Sequence, residues 1–513
     1  MGDERPQAVA DLLSPVLSGG SLASLGRRVR AGWLWIAIVL LYACAFQGTR
    51  PLYSPDEGRY TNVALNMLES GDWLRPTLHP EVEHWSKPPL TYWSIAASFA
   101  VFGHSEFAAR LPGALAFAGT VLLMVRLGRR FVPAQPWLAA LTYATFAFPP
   151  LAANLVTTDT LLTFFEALQA VAFAELWWAG TPKHARRARL VLGVAAGLAF
   201  MTKGPPGLLV LAASLVFAFT ARDRSALRRL FGWDALAAFA VVGLTWYAIV
   251  AVREPGVLRY FLVEEVVARV ASGMHRNAEW YGALKIYLPT IVLGTLPWLP
   301  LLLWTSWKRR RGFIDRVRCD DELRLVACWL VLPFAVFVLA RSRLPLYLLP
   351  MFVPLALIAA RVLAPLDVSR WPTRVLLGAW CVALVILRAV PAFLDVPLDD
   401  GALGRAVAAA LPAVPDEIAF VDTDPRYGLR FYLGSTIEHL ELPDDAPRAQ
   451  TQDIGSEMLE REGCRLLLVN DWNLGRLETF LAAGHFAFKR VADLGGYAAI
   501  AQRTPDCPAY DAL

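Results

Sequence analysis

The chain has 513 residues, 56% hydrophobic and only 18% charged, and its mean hydropathy is +0.43. A soluble chain of this length exposes far more charge, so the composition excludes a soluble globular protein and indicates an α-helical polytopic membrane protein. The formal net charge of +5 is gathered in short loops, which reads as orientation signals and argues against a nucleic-acid partner.

Met1 to Leu25 is mixed and polar, and Arg27, Arg28 and Arg30 precede an apolar run. This reads as a cytoplasmic tail (1–30) followed by a retained anchor rather than a cleaved signal. Apolar stretches of spanning length follow at 33–49, 108–127, 134–153, 158–179, 188–202, 205–221, 231–251, 284–305, 323–341, 344–364 and 373–391. The expectation is therefore about eleven spans, within a range of 10–13. Basic clusters near Arg27–Arg30, Arg126–Arg130, Lys183–Arg189, Arg222–Arg229, Lys308–Arg318 and Arg370–Arg374 then all fall on one side, the cytoplasmic one. Keeping them together requires the short apolar stretch Pro89–Phe102 to lie along the interface rather than cross.

On the opposite side this topology places loop 50–107, with Asp56, Glu57, Arg59, Lys87 and a rigid Pro88-Pro89 set among aromatics, and loop 252–283. Asp159, Lys203, Arg341 and Arg343 belong to the same side. Charges at a membrane surface are costly unless solvated, paired or in use. Arg59 has Glu57 and Asp56 within reach as partners, and Pro88-Pro89 suits a helix start.

From residue 396 the pattern changes. Short apolar runs, Ile418–Val421 and Arg465–Val469, alternate with helical stretches such as Leu474–Ala483, as in a small soluble α/β domain supporting the loops above the membrane. It has no Gly-rich phosphate loop after a strand, so no nucleotide cofactor is expected. Cys464 and Cys507 can pair only if this part faces an oxidising compartment.

The motifs Asp56-Glu57-Gly58-Arg59-Tyr60, Lys87-Pro88-Pro89-Leu90-Thr91-Tyr92-Trp93, Thr157-Thr158-Asp159, Met201-Thr202-Lys203-Gly204-Pro205, Tyr260–Glu264 with Arg269, and Arg343–Pro350 stand in fixed order. The ordered set resembles the GT-C lipid-linked glycosyltransferases, in particular the 4-amino-4-deoxy-L-arabinose lipid A transferase family and, more distantly, the protein O-mannosyltransferases. The resemblance implies a GT-C transmembrane catalytic domain over 31–395 and a periplasmic domain over 396–513, in a bacterial inner membrane. It implies an inverting transferase whose donor is a sugar on a polyprenyl (undecaprenyl) phosphate. The acceptor is then lipid A or another envelope glycan; the alternatives are a protein hydroxyl, or a flippase without chemistry. Asp56, Glu57 and Asp159 are the expected catalytic carboxylates. Arg59, Tyr60, Lys87, Lys203, Arg269, Arg343 and Tyr347 are expected at the donor phosphate or lipid, where cations stabilise the leaving group. Two departures stand out: Ser86 where relatives carry Glu, and Glu264-Glu265 where they carry Glu-His. Those family positions can hold a divalent metal, zinc or magnesium; here His84 and Glu265 are the residues with suitable ligand atoms.

Overall fold

The computed structural model describes residues 22–221, 224–230, 232–261, 277, 279–308, 320–366, 370–443, 451–459, 463–502 and 506–512. Each of the eleven apolar stretches is helical over most of its length. Among the described residues, six helices are long and apolar enough to cross a membrane: Glu106–Phe131, Thr158–Trp177, Trp233–Arg253, Asp321–Leu339, Pro345–Leu363 and Trp371–Phe393. A seventh is the pair Gly282–Gly294 and Leu299–Lys308 if its 92° bend is one span. The shortfall from eleven has local causes. Stretch 134–153 breaks at Phe146 into Trp137–Thr145 and Phe148–Ala152, with Pro149-Pro150 inside the second piece. Stretch 205–221 opens with a 3₁₀ turn at Pro205–Leu208. Helix Pro182–Lys203 carries Lys183, Arg186, Arg187 and Arg189 in its first turns.

The bundle core is aromatic and aliphatic, with Phe117, Tyr143, Phe173, Trp177, Phe217, Trp329 and Phe352 all buried. The indole of Trp329 donates to Ser214 Oγ (2.8 Å) and that of Trp298 to Thr145 Oγ1 (2.7 Å), so neither buried N–H is left unpaired. Ion pairs tie helix ends together at one end of the bundle: Arg126–Glu175 (2.6 Å), Arg130–Glu322 (2.9 Å), Arg189–Asp234 (2.8 Å) and Arg361–Glu322 (3.5 Å). The opposite helix ends carry Asp159, Lys203 and Arg343. The basic end and the motif-bearing end are thus different ends of one bundle.

The motif-bearing end holds the loop helices Asp56–Ser70 and Leu90–Phe102, which pack on each other. Helix Leu90–Phe102 begins directly after Pro88-Pro89. Between the two helices lies a short hairpin, β1 (Thr77–His79) with β2 (Val82–Glu83). Beyond residue 399 the chain forms β3 (Glu417–Val421), β4 (Thr436–Glu441), β5 (Gln452–Asp453), β6 (Arg465–Val469), β7 (Phe488–Leu494) and β8 (Tyr497–Gln502). These make one sheet in the order β5-β4-β3-β6-β8-β7. β3 runs parallel to β4 and β6, and β8 is antiparallel to β6 and β7. Strands β3 and β6 are buried throughout, as continuous apolar runs require. Glu417, Glu438 and Glu457 bring carboxylate oxygens within 4.8 Å of one another, and Arg465 bridges Glu417 (2.8 Å) and Glu457 (2.9 Å). Glu438 takes His79 Nε2 of β1 at 2.9 Å, which ties the hairpin to the sheet.

Cys464 and Cys507 form a disulfide, closing a loop across a sequence separation of 43. Cross-linking so long a loop restricts the unfolded chain and stabilises the sheet region by about 2–4 kcal/mol. A Cys464→Ser/Cys507→Ser variant should therefore melt at lower temperature than wild type in detergent. A reducing agent should lower the wild-type midpoint and leave the variant's unchanged.

Candidate active site

Glu57 is the anchor of the motif-bearing end. It is 3% exposed, and its carboxylate lies between two guanidinium groups. Arg50 donates at 2.6 and 2.9 Å and Arg110 at 3.1 Å to each oxygen. The backbone N–H groups of Tyr53 and Val156 complete the set, both at 3.0 Å. The surplus guanidinium protons go to the carbonyls of Gln47, Arg50, Pro51 and Asn154 and to Asn154 Oδ1. Burial pushes the Glu57 carboxyl up, but the Arg110 and Arg50 charges outweigh it and hold it at about 2. The structure thus places Glu57, expected among the catalytic carboxylates, inside a buried cluster with both carboxylate oxygens engaged by donors. Its four partners instead join loop 47–53, helix Glu106–Phe131 and segment 154–156.

That anchorage aims Asp56 the other way. Successive helical residues diverge by about 100°, so burying Glu57 turns Asp56 outward, where its side chain is 35% exposed. Arg59 pairs with Asp56 and not with Glu57. Tyr60, buried, stacks beside Tyr92 (5.6 Å between centroids) and hydrogen-bonds Thr158. Tyr60 thereby links the helix of Asp56 to the start of the helix carrying Asp159.

Asp159 lies in the first turn of helix Thr158–Trp177, and Lys203 is the last residue of helix Pro182–Lys203. These helices pack side by side. A carboxylate at a helix N-terminus and an ammonium at a C-terminus are each favoured by the helix dipoles. The two meet at 2.5 Å, with side chains 7% and 11% exposed. Lys203 Nζ also stands 4.4 Å over the ring of Tyr347, which adds a cation–π contact. Gly204 ends the helix with φ +69°, a conformation that releases the chain directly after the lysine.

The other expected residues divide. Lys87 Nζ donates to the Ser86 carbonyl at 2.6 Å, and its segment reaches the cluster through His84, whose ring meets Tyr92 edge-on at 6.4 Å. Arg343 is buried and donates to the carbonyls of Asn277, Glu279 and Val338 at 2.9–3.0 Å. Its contacts fasten Asn277 and Glu279 and leave Nε unengaged. Arg269, Glu264 and Glu265 lie outside the described residues. His84 is buried and hydrogen-bonded to Ser86 Oγ (2.7 Å). Among the described residues the grouping of three ligand-type side chains is Glu417, Glu438 and Glu457, not a set around His84. Glu265, the other ligand expected beside His84, lies outside the described residues, and no step is routed through a metal.

Four residues that the motifs do not mark emerge: Arg50, Arg110, Asn154 and Glu166. An arginine early in a helix whose other arginines lie at its far end was the available signal for Arg110, and an acid midway along the 158–179 run was that for Glu166. Glu166 is 4% exposed and makes no hydrogen bond to a described residue, although Lys203 and Asp159 act on it electrostatically. It borders a small cavity with Pro206, Trp329, Phe337 and Met351.

Residues 86–263 match the family model described as dolichyl-phosphate-mannose-protein mannosyltransferase. The chain is 34% identical over 353 residues to the undecaprenyl phosphate-alpha-4-amino-4-deoxy-L-arabinose arabinosyl transferase of Pseudomonas aeruginosa, an alignment covering 66% of this chain and 60% of that protein. The enzyme of the same name from Edwardsiella ictaluri is 32% identical over 340 residues, covering 64% and 59%. The chain thus spans about three-fifths of the length of the curated relatives it matches. The structure of ArnT from Cupriavidus metallidurans bound to undecaprenyl phosphate superposes with a TM-score of 0.73 at 20% identity, over 92% of this chain and 98% of that one. The chain therefore has the GT-C fold seen in ArnT, and in sequence it is a relative of the arabinosyl transferases named above.

Replacing Glu57 with Gln would leave Arg50 and Arg110 buried with no counter-charge, a change that costs roughly 3–5 kcal/mol. The Glu57→Gln protein should show a lower melting temperature and a lower yield of folded material. Because the folded carboxyl sits at about 2 against an ordinary 4.5, its contribution is complete above about 4.5 and is lost as pH falls toward 2. That contribution amounts to about 3 kcal/mol. Acid titration of wild type against Glu57→Gln should show the wild-type advantage shrinking only across that window.

Proposed function

We propose that this chain is an inverting glycosyltransferase that takes a sugar from a polyprenyl-phosphate carrier and passes it to lipid A or another envelope glycan at the periplasmic face of a bacterial inner membrane. The observation that carries the reading is the meeting of Asp159, Lys203 and Tyr347 at the bundle end that also presents Asp56. Both names attached to the related sequences, one a dolichyl and one an undecaprenyl phosphate enzyme, have a polyprenyl phosphate in common. That supports the donor class more strongly than any one acceptor. The amino-arabinose in the names of the 34% and 32% identical relatives favours an amino sugar. The Cys464–Cys507 disulfide supports an oxidising compartment on the motif-bearing side.

In this mechanism the acceptor oxygen attacks the anomeric carbon while the bond from that carbon to the phosphate oxygen breaks. Positive charge grows on the sugar, and the carrier leaves as an anionic lipid phosphate. Lys203 and Lys87 stabilise that phosphate, and Tyr347 donates a hydrogen bond to it. Asp159 holds Lys203 at the end of its helix until the phosphate arrives. Asp56 takes the proton when the acceptor is a hydroxyl. When the acceptor is a phosphate, already anionic, Asp56 orients the donor and offsets charge on the sugar ring.

Purified protein in detergent, given a panel of radiolabelled undecaprenyl-phosphate sugars and lipid A, tests the reading. Wild type should transfer at least one sugar. Asp56→Asn should lower kcat by roughly 10²–10⁴ with the donor KM little changed. Lys203→Ala should lower kcat/KM by a similar order through loss of phosphate stabilisation. Absence of transfer with every sugar, in protein that still binds the lipid phosphate, would sink the transferase assignment and favour lipid-linked-sugar transport.

A further inference from the structure

The loop carrying Asp56 is closed from the far end of the chain. Asp400, fully buried, lies in the first turn of helix Asp400–Ala410. The Ser54 hydroxyl donates to both of its carboxylate oxygens, at 2.7 and 2.9 Å, and Arg426 Nε donates to Oδ1 at 2.7 Å. Two backbone bonds run alongside: Ser54 N–H to the Leu398 carbonyl (3.0 Å) and Asp400 N–H to the Leu52 carbonyl (3.1 Å). Tyr53 forms a β-bridge with Asp399, and the Tyr432 hydroxyl accepts from the Leu52 N–H at 2.8 Å. The packing leaves no slack. A Cβ on Gly58 would come within 2.5 Å of Gly428 N and 2.8 Å of Asp400 Oδ2, and one on Gly428 within 2.0 Å of the same oxygen.

We infer that Asp400 is a positioning residue for the transfer reaction: by clamping Ser54 and Arg426 it fixes residues 52–58 and so the place of Asp56. The inference rests on the functional reading of Asp56 given above. Glu57 fixes the buried side of this helix start, while Asp400 fixes the two residues that lead into it. Neither alone determines where Asp56 stands. The groups that face Asp400 are Arg426, Tyr497 (hydrogen-bonded to Arg426) and, across the loop, Glu57. Burial pushes the Asp400 carboxyl up, Arg426 and Ser54 pull it down, and the balance leaves it at about 6.

The sign of the pH effect separates positioning from mere support of the fold. With a folded value of about 6 against an ordinary 3.8, protonating Asp400 between those values favours the folded state through this group. The same protonation removes the charge-assisted bonds to Arg426 and Ser54. Acidification through pH 6 therefore loosens the loop without unfolding the protein by this route.

The experiment compares wild type, Asp400→Asn and Ser54→Ala in three measurements: the pH profile of kcat, thermal melting, and hydrogen exchange of segment 52–60. We expect wild-type kcat to fall as pH drops through about 6. Asp400→Asn should be roughly 10–100-fold slower at pH 7.5, as misplacement of a reacting group produces, with a donor KM near wild type and no inflection near pH 6. Ser54→Ala should move kcat and exchange the same way to a smaller degree, and it carries the test if Asp400→Asn does not fold. Folded variants with wild-type kcat and pH profile overturn the inference, even if exchange rises. If wild type itself transfers no sugar, the functional reading has failed, and unchanged exchange at 52–60 in both variants then overturns the clamp independently.

Discussion

The buried pairing of Glu57 with Arg50 and Arg110 is the constraint on which the motif-bearing end depends. One carboxylate faces two guanidinium groups, so the cluster keeps a surplus positive charge that only oriented carbonyls can absorb. A buried ionic group of this kind is weak evidence for stability but holds a particular geometry, because each partner left unpaired is costly. Three segments remote in sequence can therefore meet in only one register. The chemistry proposed for Asp56 follows from its neighbour: one helical step separates the carboxylate locked inside from the one turned out.

A second regularity concerns helix ends. Asp56 and Asp159 each sit in a first helical turn, and Lys203 in a last one. Local backbone dipoles favour each charge where it stands, so the polar cluster is stabilised by the architecture of the bundle even without a ligand. The pair at 2.5 Å between Asp159 and Lys203 is nearly closed to solvent and hence poorly screened. In the proposed reaction the donor phosphate competes with Asp159 for the ammonium. Such competition gives the site a preference for a group carrying more charge than a single carboxylate. Arg126, Arg130, Arg189 and Arg361, by contrast, are paired with acids at the other end of the bundle, so the two ends differ in kind.

Much of this was legible in the sequence because it rests on local pattern. Apolar runs of spanning length became helices, Pro88-Pro89 preceded a helix start, and Ile418–Val421 and Arg465–Val469 fell within buried strands. What the pattern could not show was partnership. Asp56 and Glu57 are adjacent acids with opposite roles, and only the long-range contacts to Arg110 and Val156 tell them apart. Arg343 occupies a motif position yet spends its donors on three carbonyls, a use that side-chain type does not reveal. Lengths of apolar runs also overcounted uninterrupted spans, because Pro149-Pro150 and Pro205-Pro206 break helices that hydropathy alone leaves whole.

The separation between partners bears on how the site assembles. Ser54 and Asp400 are 346 residues apart, and Leu52 and Tyr432 are 380 apart. Closing contacts over such distances is slow and comes after local structure has formed. The Glu57 cluster draws on residues between 47 and 156, so it can form among the early helices. The loop bearing Asp56 then has a fixed buried side while its approach through Ser54 waits for the sheet region. Asp56 reaches its final place only when the last quarter of the chain has folded against the loop. A protein built in this order leaves the loop of Asp56 in an incomplete setting until the whole chain is present, and the region beyond residue 399 bears on the role proposed for Asp56 through Asp400, Arg426 and Tyr432.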